Sequence, residues 1–463
     1  MSESAKKRAK RAQRIFDKAV SAHRAGQLDE AIAGYVRSLD IDSDYSQALN
    51  NMGVALRAKG AFHAAAASYR RAIALNPDDP GSHSNLGNAL RALGRHDAAE
   101  ASHRQALTVD PNYLEARYNL GLVLKDQGKF DEGIAYLEEA VRRKADYTDA
   151  HWDLALAWLM KGDLRQGFDE YEWRWQLPEN KPRRFDKPAW NGAALDGRVI
   201  LLHAEQGMGD SIQFARYASL VAAKGGLVAA KGGRVILECQ TPLVALFEQL
   251  EGVEQVVARD APLPTFDVHA PLLSLPRIFK TDLDSIPAPG DYLKADAARG
   301  EKFAEMLDTK RLNVGIAWAG KPSHRNDRNR SAGIEPFIDL LGTPGVAFHS
   351  LQVGPRSADL AATGCAGLIR DHSPNISDFA DTAALVAALD LVISVDTSVC
   401  HLAGALGKPC WVVIPYTPDW RWLMQREDSP WYPSLRLFRQ ASFGDWPGVF
   451  SRLAAALEKM IAG

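Results

Sequence analysis

Glycine stands at positions 26, 60, 94, 128 and 162, each 34 residues after the one before. A fixed period of that length constrains the fold more than composition does, because such a unit buries its apolar face only against its neighbours and the units must stack. Other small residues keep the step: Ala31, Ala65, Ala99, Gly133 and Gly167 follow those glycines by five residues, and Ala19, Gly53, Gly87, Gly121 and Ala155 precede them by seven. A glycine can take the left-handed conformation that ends a helix, and small residues let paired helices approach closely. One larger position recurs as Tyr35, Tyr69, His103, Leu137 and Tyr171. Asn76-Pro77 and Asp110-Pro111 stop the second helix of their units, since a proline ring disfavours helix at the residue before it. Ser43 in place of proline, and Arg174 where alanine is usual, mark the first and last units as atypical, as end repeats are expected to be.

This pattern resembles the tetratricopeptide repeat, two antiparallel helices per unit, and predicts an α-solenoid of about five repeats over residues 12–181. Asn51, Asn85 and Asn119 recur two residues before the small residue of each central first helix, with Asp17 and Asp153 at the matching end positions. Stacked repeats would set three carboxamides in a row, able to donate to and accept from an extended peptide. The row resembles the asparagine ladder of O-linked N-acetylglucosamine transferases, which implies a peptide acceptor; packing within the repeats explains the same residues.

The Trp-rich, charged stretch YEWRWQLPENKPRRFDKPAWNG, 171–192, is expected to cap the solenoid and fasten it to the next domain, with a linker at 182–197. From residue 198 short β-rich runs alternate with helical stretches: RVILLHA, RVILEC, QVVA and FDVHA, then LNVGIAWA, VAFHSL, LVISVD and CWVVIP. Such alternation predicts two Rossmann-like parallel-sheet domains, at 198–300 and 310–463, with ligands beyond the carboxyl ends of strands. The tandem LVAAKGG, 220–226 and 227–233, is expected to be a surface extension.

SVDTSVCHLAGALGKP places Asp396 at a strand end, Thr397 and Ser398 at a helix N-cap, and His401 in the first turn. The free amides and positive end of that helix suit a diphosphate, while cap chemistry and a structural histidine explain the residues equally. HAEQGMGDSIQFARY, 203–217, turns from strand to helix through Gly207 and Gly209, and presents Asp210 either as a proton acceptor or as a helix cap. The loop AGKPSHRNDRNRS, 319–331, carries Lys321, His324, Arg325, Arg328 and Arg330; facing a cleft, Lys321 and Arg328 would neutralise a leaving diphosphate.

D-T-S-x-x-H-L-A-x-A-L-G-x-P resembles the donor-site signature of glycosyltransferase family 9, the heptosyltransferases. EQGMGDSIQFARY, PDWRWL and DSPWYPSLRLFRQ resemble bacterial chains that fuse tetratricopeptide repeats to such a domain. The resemblance implies a GT-B fold, two Rossmann-like domains facing a cleft, with Asp396, Thr397, Ser398 and His401 on the nucleotide sugar. It implies Asp210 as catalytic base and transfer with inversion. Ser398 stands where that family more often has glycine.

At 463 residues the chain is long enough for about three packing units. The balance of 55 basic against 57 acidic residues argues against nucleic acid or an anionic membrane as partner. Four scattered cysteines fit a reducing compartment, and no stretch is apolar enough for a signal or a membrane span, so a cytoplasmic protein is expected. No metal is expected, since D-L-D at 282–284 lies in a surface segment, and no cofactor, since the chain has no Walker A motif and G-x-G at 207–209 lacks its third glycine. The sequence reading is therefore a metal-independent, inverting glycosyltransferase with a nucleotide sugar as substrate and a protein or peptide acceptor held by the repeats. Two competitors are a non-catalytic repeat scaffold with a degenerate transferase domain and a transferase acting on a lipid-linked or polysaccharide acceptor.

Overall fold

The structure, a computed structural model, describes residues 3–223, 233–287, 290–323 and 326–462. His324 and Arg325 of the basic loop and most of the tandem LVAAKGG stretch lie outside the described residues. The chain divides into two compact units, one of residues 1–158 and 173–180, the other of 159–172 and 181–463.

The first unit is a helical tetratricopeptide solenoid. Its helices are α1 (Glu3–Arg24), α2 (Leu28–Ile41), α3 (Ser46–Ala58), α4 (Phe62–Leu75), α5 (Pro80–Ala92), α6 (His96–Val109), α7 (Leu114–Asp126), α8 (Phe130–Arg143) and the greater part of α9 (Thr148–Lys161). The period-setting glycines close the first helix of each pair, with φ of 76° at Gly26, 78° at Gly60, 70° at Gly94 and 75° at Gly128. The following amide reaches back to form the six-to-one bond of a Schellman cap, Ala61 N to Leu56 O at 2.9 Å and Lys129 N to Leu124 O at 2.9 Å.

The small and large registers meet. A Cβ on Gly53 would lie 2.5 Å from the Tyr69 ring, on Gly87 2.5 Å from His103 and on Gly121 2.8 Å from Leu137. Glycine there lets a bulky side chain of the second helix sit against the backbone of the first. His103 fills the large position wholly buried, its Nδ1 3.4 Å from Ser84 Oγ, and burial with the nearby Arg91 pushes its pKa down to about 3.

The second unit begins with the end of α9 and α10 (Leu164–Glu170), then carries two all-parallel sheets. The first has strands β1 (Val199–His203), β2 (Arg234–Cys239), β3 (Gln255–Ala258) and β4 (Val268–Pro271) in the order β3-β2-β1-β4. The second has β5 (Leu312–Ala317), β6 (Val346–Ser350), β7 (Ile369–Asp371), β8 (Leu391–Val395), β9 (Cys410–Ile414) and β10 (Leu435–Arg439) in the order β10-β9-β8-β5-β6-β7. In each, the chain reverses direction across the sheet next to its first strand, between β1 and β4 and between β5 and β8. Loops at such reversal points splay apart and leave room for a ligand. Those after β1, β5 and β8 carry the residues singled out from sequence. Strands β5 and β8 and the helix Ser398–Ala405 are buried along nearly their whole length, so they read as apolar runs.

A histidine kept neutral by burial takes up a proton only in the unfolded chain. The His103 site is therefore fully stable above its unfolded value of 6.5 and loses stability as pH falls from there toward 3. The loss approaches about 1.4 kcal/mol per pH unit. His103→Leu, the residue that Leu137 supplies one repeat later, should flatten the acid limb of the solenoid's melting curve; an unchanged slope would contradict the assignment.

Candidate functional site

The loop after β1 leads into the helix Met208–Ala215. Gly207 is its N-cap, in extended backbone, and its N–H donates to Asp210 Oδ2 at 2.8 Å. Asp210 is thus a cap, as its place in the first turn allows. Gly209 has a different reason: a Cβ there would lie 2.9 Å from His401 Cδ2 and 3.6 Å from Ser398 Cα. The two glycines form no phosphate cradle; the second lets the N-terminus of this helix meet the N-terminus of Ser398–Ala405, which belongs to the other sheet.

Ser398–Ala405 starts directly beyond β8. Thr397 caps it, accepting from Val399 N at 3.3 Å, and its hydroxyl lies 3.2 Å from Ser394 Oγ. Thr397 and Ser398 are half-buried, whereas Asp396 and His401 are buried. His401 Nδ1 is 3.1 Å from Tyr432 Oη, its Nε2 is 4.0 Å from Asp396 Oδ1, and its ring stacks on Trp422 with centroids 5.5 Å apart. Burial, with Asp419 adding repulsion, pushes the Asp396 carboxyl up to about 6 against the pull of Arg330 and Arg421. Burial and the same two arginines, with Arg216, hold His401 well below its ordinary value, so the imidazole is neutral at pH 7.

Between these elements lies Arg421, which the sequence reading did not single out. It sits in the short turn Trp420–Trp422, capped by Asp419, whose Oδ1 accepts from Arg421 N at 3.0 Å and from Arg421 Nη1 at 2.8 Å. Arg421 Nη2 pairs with Asp210 Oδ1, and Nε donates to Gln213 Oε1 at 2.5 Å. Just past the turn, buried Leu423 has φ of 48° with ψ of −177°, a sparsely populated conformation that costs a residue with a side chain about 1–3 kcal/mol and persists only where packing enforces it.

Arg216 answers from the other side. It donates to Trp431 O at 2.9 Å and lies 4.8 Å, 5.4 Å and 4.7 Å from the ring centres of Tyr292, Trp431 and Tyr432. Asp210, Gln213 and Arg216 fall three residues apart, one stripe along the helix and the residue after it, all turned toward the second sheet.

Of the predicted donor residues, the structure brings Asp396, Ser398 and His401 together with Gly209 and Asp210. Lys321 and Arg328 are exposed, with no hydrogen bond or ion pair among the described residues. Their loop neighbour Arg330 is half-buried, folds over Gly320, and acts electrostatically on Asp396, Cys400 and His401. The step of two between Arg328 and Arg330 on the one-turn helix Asp327–Arg330 is the signal that separates them, because residues two apart point to different sides.

Asp396, Cys400 and His401 hold three possible ligand atoms within 4.8 Å of one another. The setting disfavours a cation. Burial keeps the Cys400 thiol protonated, its Sγ donates to Thr397 O at 2.9 Å, and Arg421, Arg216 and Arg330 surround the imidazole.

In the solenoid, Asn51, Asn85 and Asn119 are all half-buried. Asn85 Nδ2 donates to Asn50 Oδ1 at 3.1 Å, while Asn51 and Asn119 have no side-chain hydrogen bond among the described residues. The end of the row is ionic: Asp153 accepts from Lys125 at 2.7 Å and from Tyr118 at 2.6 Å.

Comparison with known proteins supports the repeats directly. A profile described as TPR repeat matches residues 55–94 and 87–128, and one described as tetratricopeptide repeat matches 118–172. Protein FlbA of Caulobacter vibrioides is 28% identical over 331 residues, covering 66% of this chain and 54% of its own length. The chain thus spans about half of that relative. Among solved structures, MamA is 23% identical over 34% of this chain and 91% of its own, with a TM-score of 0.31. YrrB, described as a TPR protein with an unusual peptide-binding site, is 18% identical over 36% and 86%, with a TM-score of 0.31. Among the described residues no helix is long and apolar enough to cross a membrane.

A carboxyl raised from 3.8 to about 6 destabilises the fold fully above pH 6, and the cost disappears as pH falls through the folded value toward the unfolded one. Asp396→Asn should therefore raise stability by about 1–3 kcal/mol at pH 8, and the gain should vanish below about pH 4. Chemical denaturation at the two pH values checks this; a gain independent of pH would contradict it.

Proposed function

We propose that the chain is a glycosyltransferase of GT-B architecture that moves a sugar from a nucleotide-sugar donor to a hydroxyl acceptor, with the repeats recruiting a protein or peptide. The observation that carries this reading is the approach of Asp210 and Gly209, beyond β1, to Ser398 and His401, beyond β8. A carboxylate from one sheet and a helix N-terminus with a neutral histidine from the other suit an acceptor on one side and a diphosphate on the other.

In this reading Thr397, Ser398 and His401 hold the donor, while arginine charge offsets the leaving diphosphate without a metal. Lys321 and Arg328 remain outer contacts on the same side. Asp210 accepts the proton of the acceptor hydroxyl as its oxygen bonds to the anomeric carbon. The bond from that carbon to the phosphate oxygen breaks, its electron pair leaves with the nucleoside diphosphate, and attack from the opposite face inverts the centre. Asn51, Asn85 and Asn119, half-buried and with amide groups to spare at positions 51 and 119, are the contacts for an extended acceptor segment. No cofactor is required.

A second reading has its own support. Both Asp210 oxygens are engaged, one by Gly207 N and one by Arg421, as a purely structural cap and ion pair would be. Under that reading the chain is a repeat scaffold whose parallel-sheet unit no longer catalyses.

A panel of nucleotide sugars tested for thermal stabilisation separates the two. A selective ligand at about 100 times its Kd adds roughly 2.7 kcal/mol. The transferase reading expects one donor class to raise the melting temperature of wild type and of Asp210→Asn alike, with release of nucleoside diphosphate lost in the variant. A panel that leaves wild type unmoved favours the scaffold. Combined Asn51→Ala, Asn85→Ala and Asn119→Ala should weaken transfer to protein acceptors while leaving donor binding unchanged; equal transfer to every acceptor would remove the ladder.

A further inference from the structure

We propose that Arg421 is an exchangeable anion receptor: the diphosphate of an incoming nucleotide takes its guanidinium from Asp210, and this exchange frees the Asp210 carboxylate to act. The inference rests on the nucleotide-sugar reading above and adds a residue and an order of events to it, donor before acceptor.

The first support is the sharing of one cation. Arg421 is buried, and its Nη1 and Nη2 each face a carboxylate, Asp419 at 2.8 Å and Asp210. Asp419 lies two residues away in the same turn and also caps it, so that partner is local. Asp210 comes from the other sheet's helix and keeps its second oxygen on Gly207 N, so it can lose Arg421 without losing its cap.

The second support is a buried donor beside this guanidinium. Gln213 is wholly buried, and its Nε2 has no hydrogen-bond partner among the described residues. The Gln213 amide cannot turn over to hide its N–H, because its Oε1 is held by Arg421 Nε. Trp422 follows Arg421 in the chain and stacks on His401, and Arg330 acts on Asp396 and His401. A buried N–H group without an acceptor is costly, and this one sits on the same side chain that holds Arg421 Nε. A phosphate brings several acceptor oxygens, and its charge competes directly with a carboxylate for an arginine fork. The helix Ser398–Ala405 adds its N-terminal amides, and Gly209 keeps that end open to the Asp210 loop.

An exchange makes a prediction that a fixed ion pair does not: removing the internal competitor tightens the ligand. UDP, GDP, ADP and inorganic pyrophosphate are titrated calorimetrically into the full chain as wild type, Asp210→Asn and Arg421→Lys. For whichever probe binds wild type, Asp210→Asn should tighten binding about 3- to 10-fold, because the phosphate replaces the carboxylate on Arg421 and only the difference between the two pairings is read. Arg421→Lys, which keeps the charge and loses the fork, should weaken it by about 10-fold or more. Unchanged or weaker binding to Asp210→Asn, with wild type binding normally, overturns the exchange and leaves the nucleotide reading standing. Wild-type affinity in Arg421→Lys overturns it equally. If no probe binds wild type, both fall together. Asp210→Asn retains the cap acceptor, so its result stands even if Arg421→Lys does not fold.

Discussion

The arrangement of the parallel-sheet unit turns on a reciprocal exchange of arginines. Arg421, from the second sheet, is held by Asp210 and Gln213 of the helix after β1, while Arg216, at the end of that helix, is held by Trp431 of the second sheet's own loop and by three aromatic rings. Buried guanidinium groups are tolerated only when their donors are matched, and breaking one such pair typically costs about 3–5 kcal/mol. Two such contacts along one helix fix where the first sheet's loop stands against the second sheet's. The glycine at 209 is then a steric requirement, because His401 occupies the space a side chain would need.

The same interaction bears on chemistry. A carboxylate engaged by a cation and a cap is poorly placed to take a proton, so the proposed role of Asp210 as a base requires a partner that removes the cation. In the proposed exchange, the buried Nε2 of Gln213, without a hydrogen-bond partner among the described residues, is a donor such a partner would meet. Asp396, raised by burial, and His401, kept neutral by burial and arginines, complete a site whose electrostatics favour an anion over a metal.

Much of the fold was legible in the sequence because its cause is local. The glycines at 26, 60, 94 and 128 take positive φ, and the small residues at 53, 87 and 121 receive Tyr69, His103 and Leu137. Eight strands were readable as apolar runs, whereas β7 is three residues with two of them exposed, and β10 reads LRLFR, too charged to announce itself. After β2 the chain is helical only briefly, a 3-10 turn at Thr241–Leu243 running into one α-helical turn at Val244–Phe247. The meeting of Asp210 with Arg421 was not legible, since it joins residues 211 apart through the contact of two sheets. An arginine between two tryptophans looks like a surface cation until its two carboxylates are known.

Hydrogen–deuterium exchange on the full chain, with and without a nucleotide sugar, tests the central claim most directly. The account predicts that a bound donor slows exchange together in three separate stretches, residues 204–216, 394–406 and 419–423, while the first solenoid helices are unchanged. Protection confined to the solenoid, or to only one sheet's loops, would contradict it.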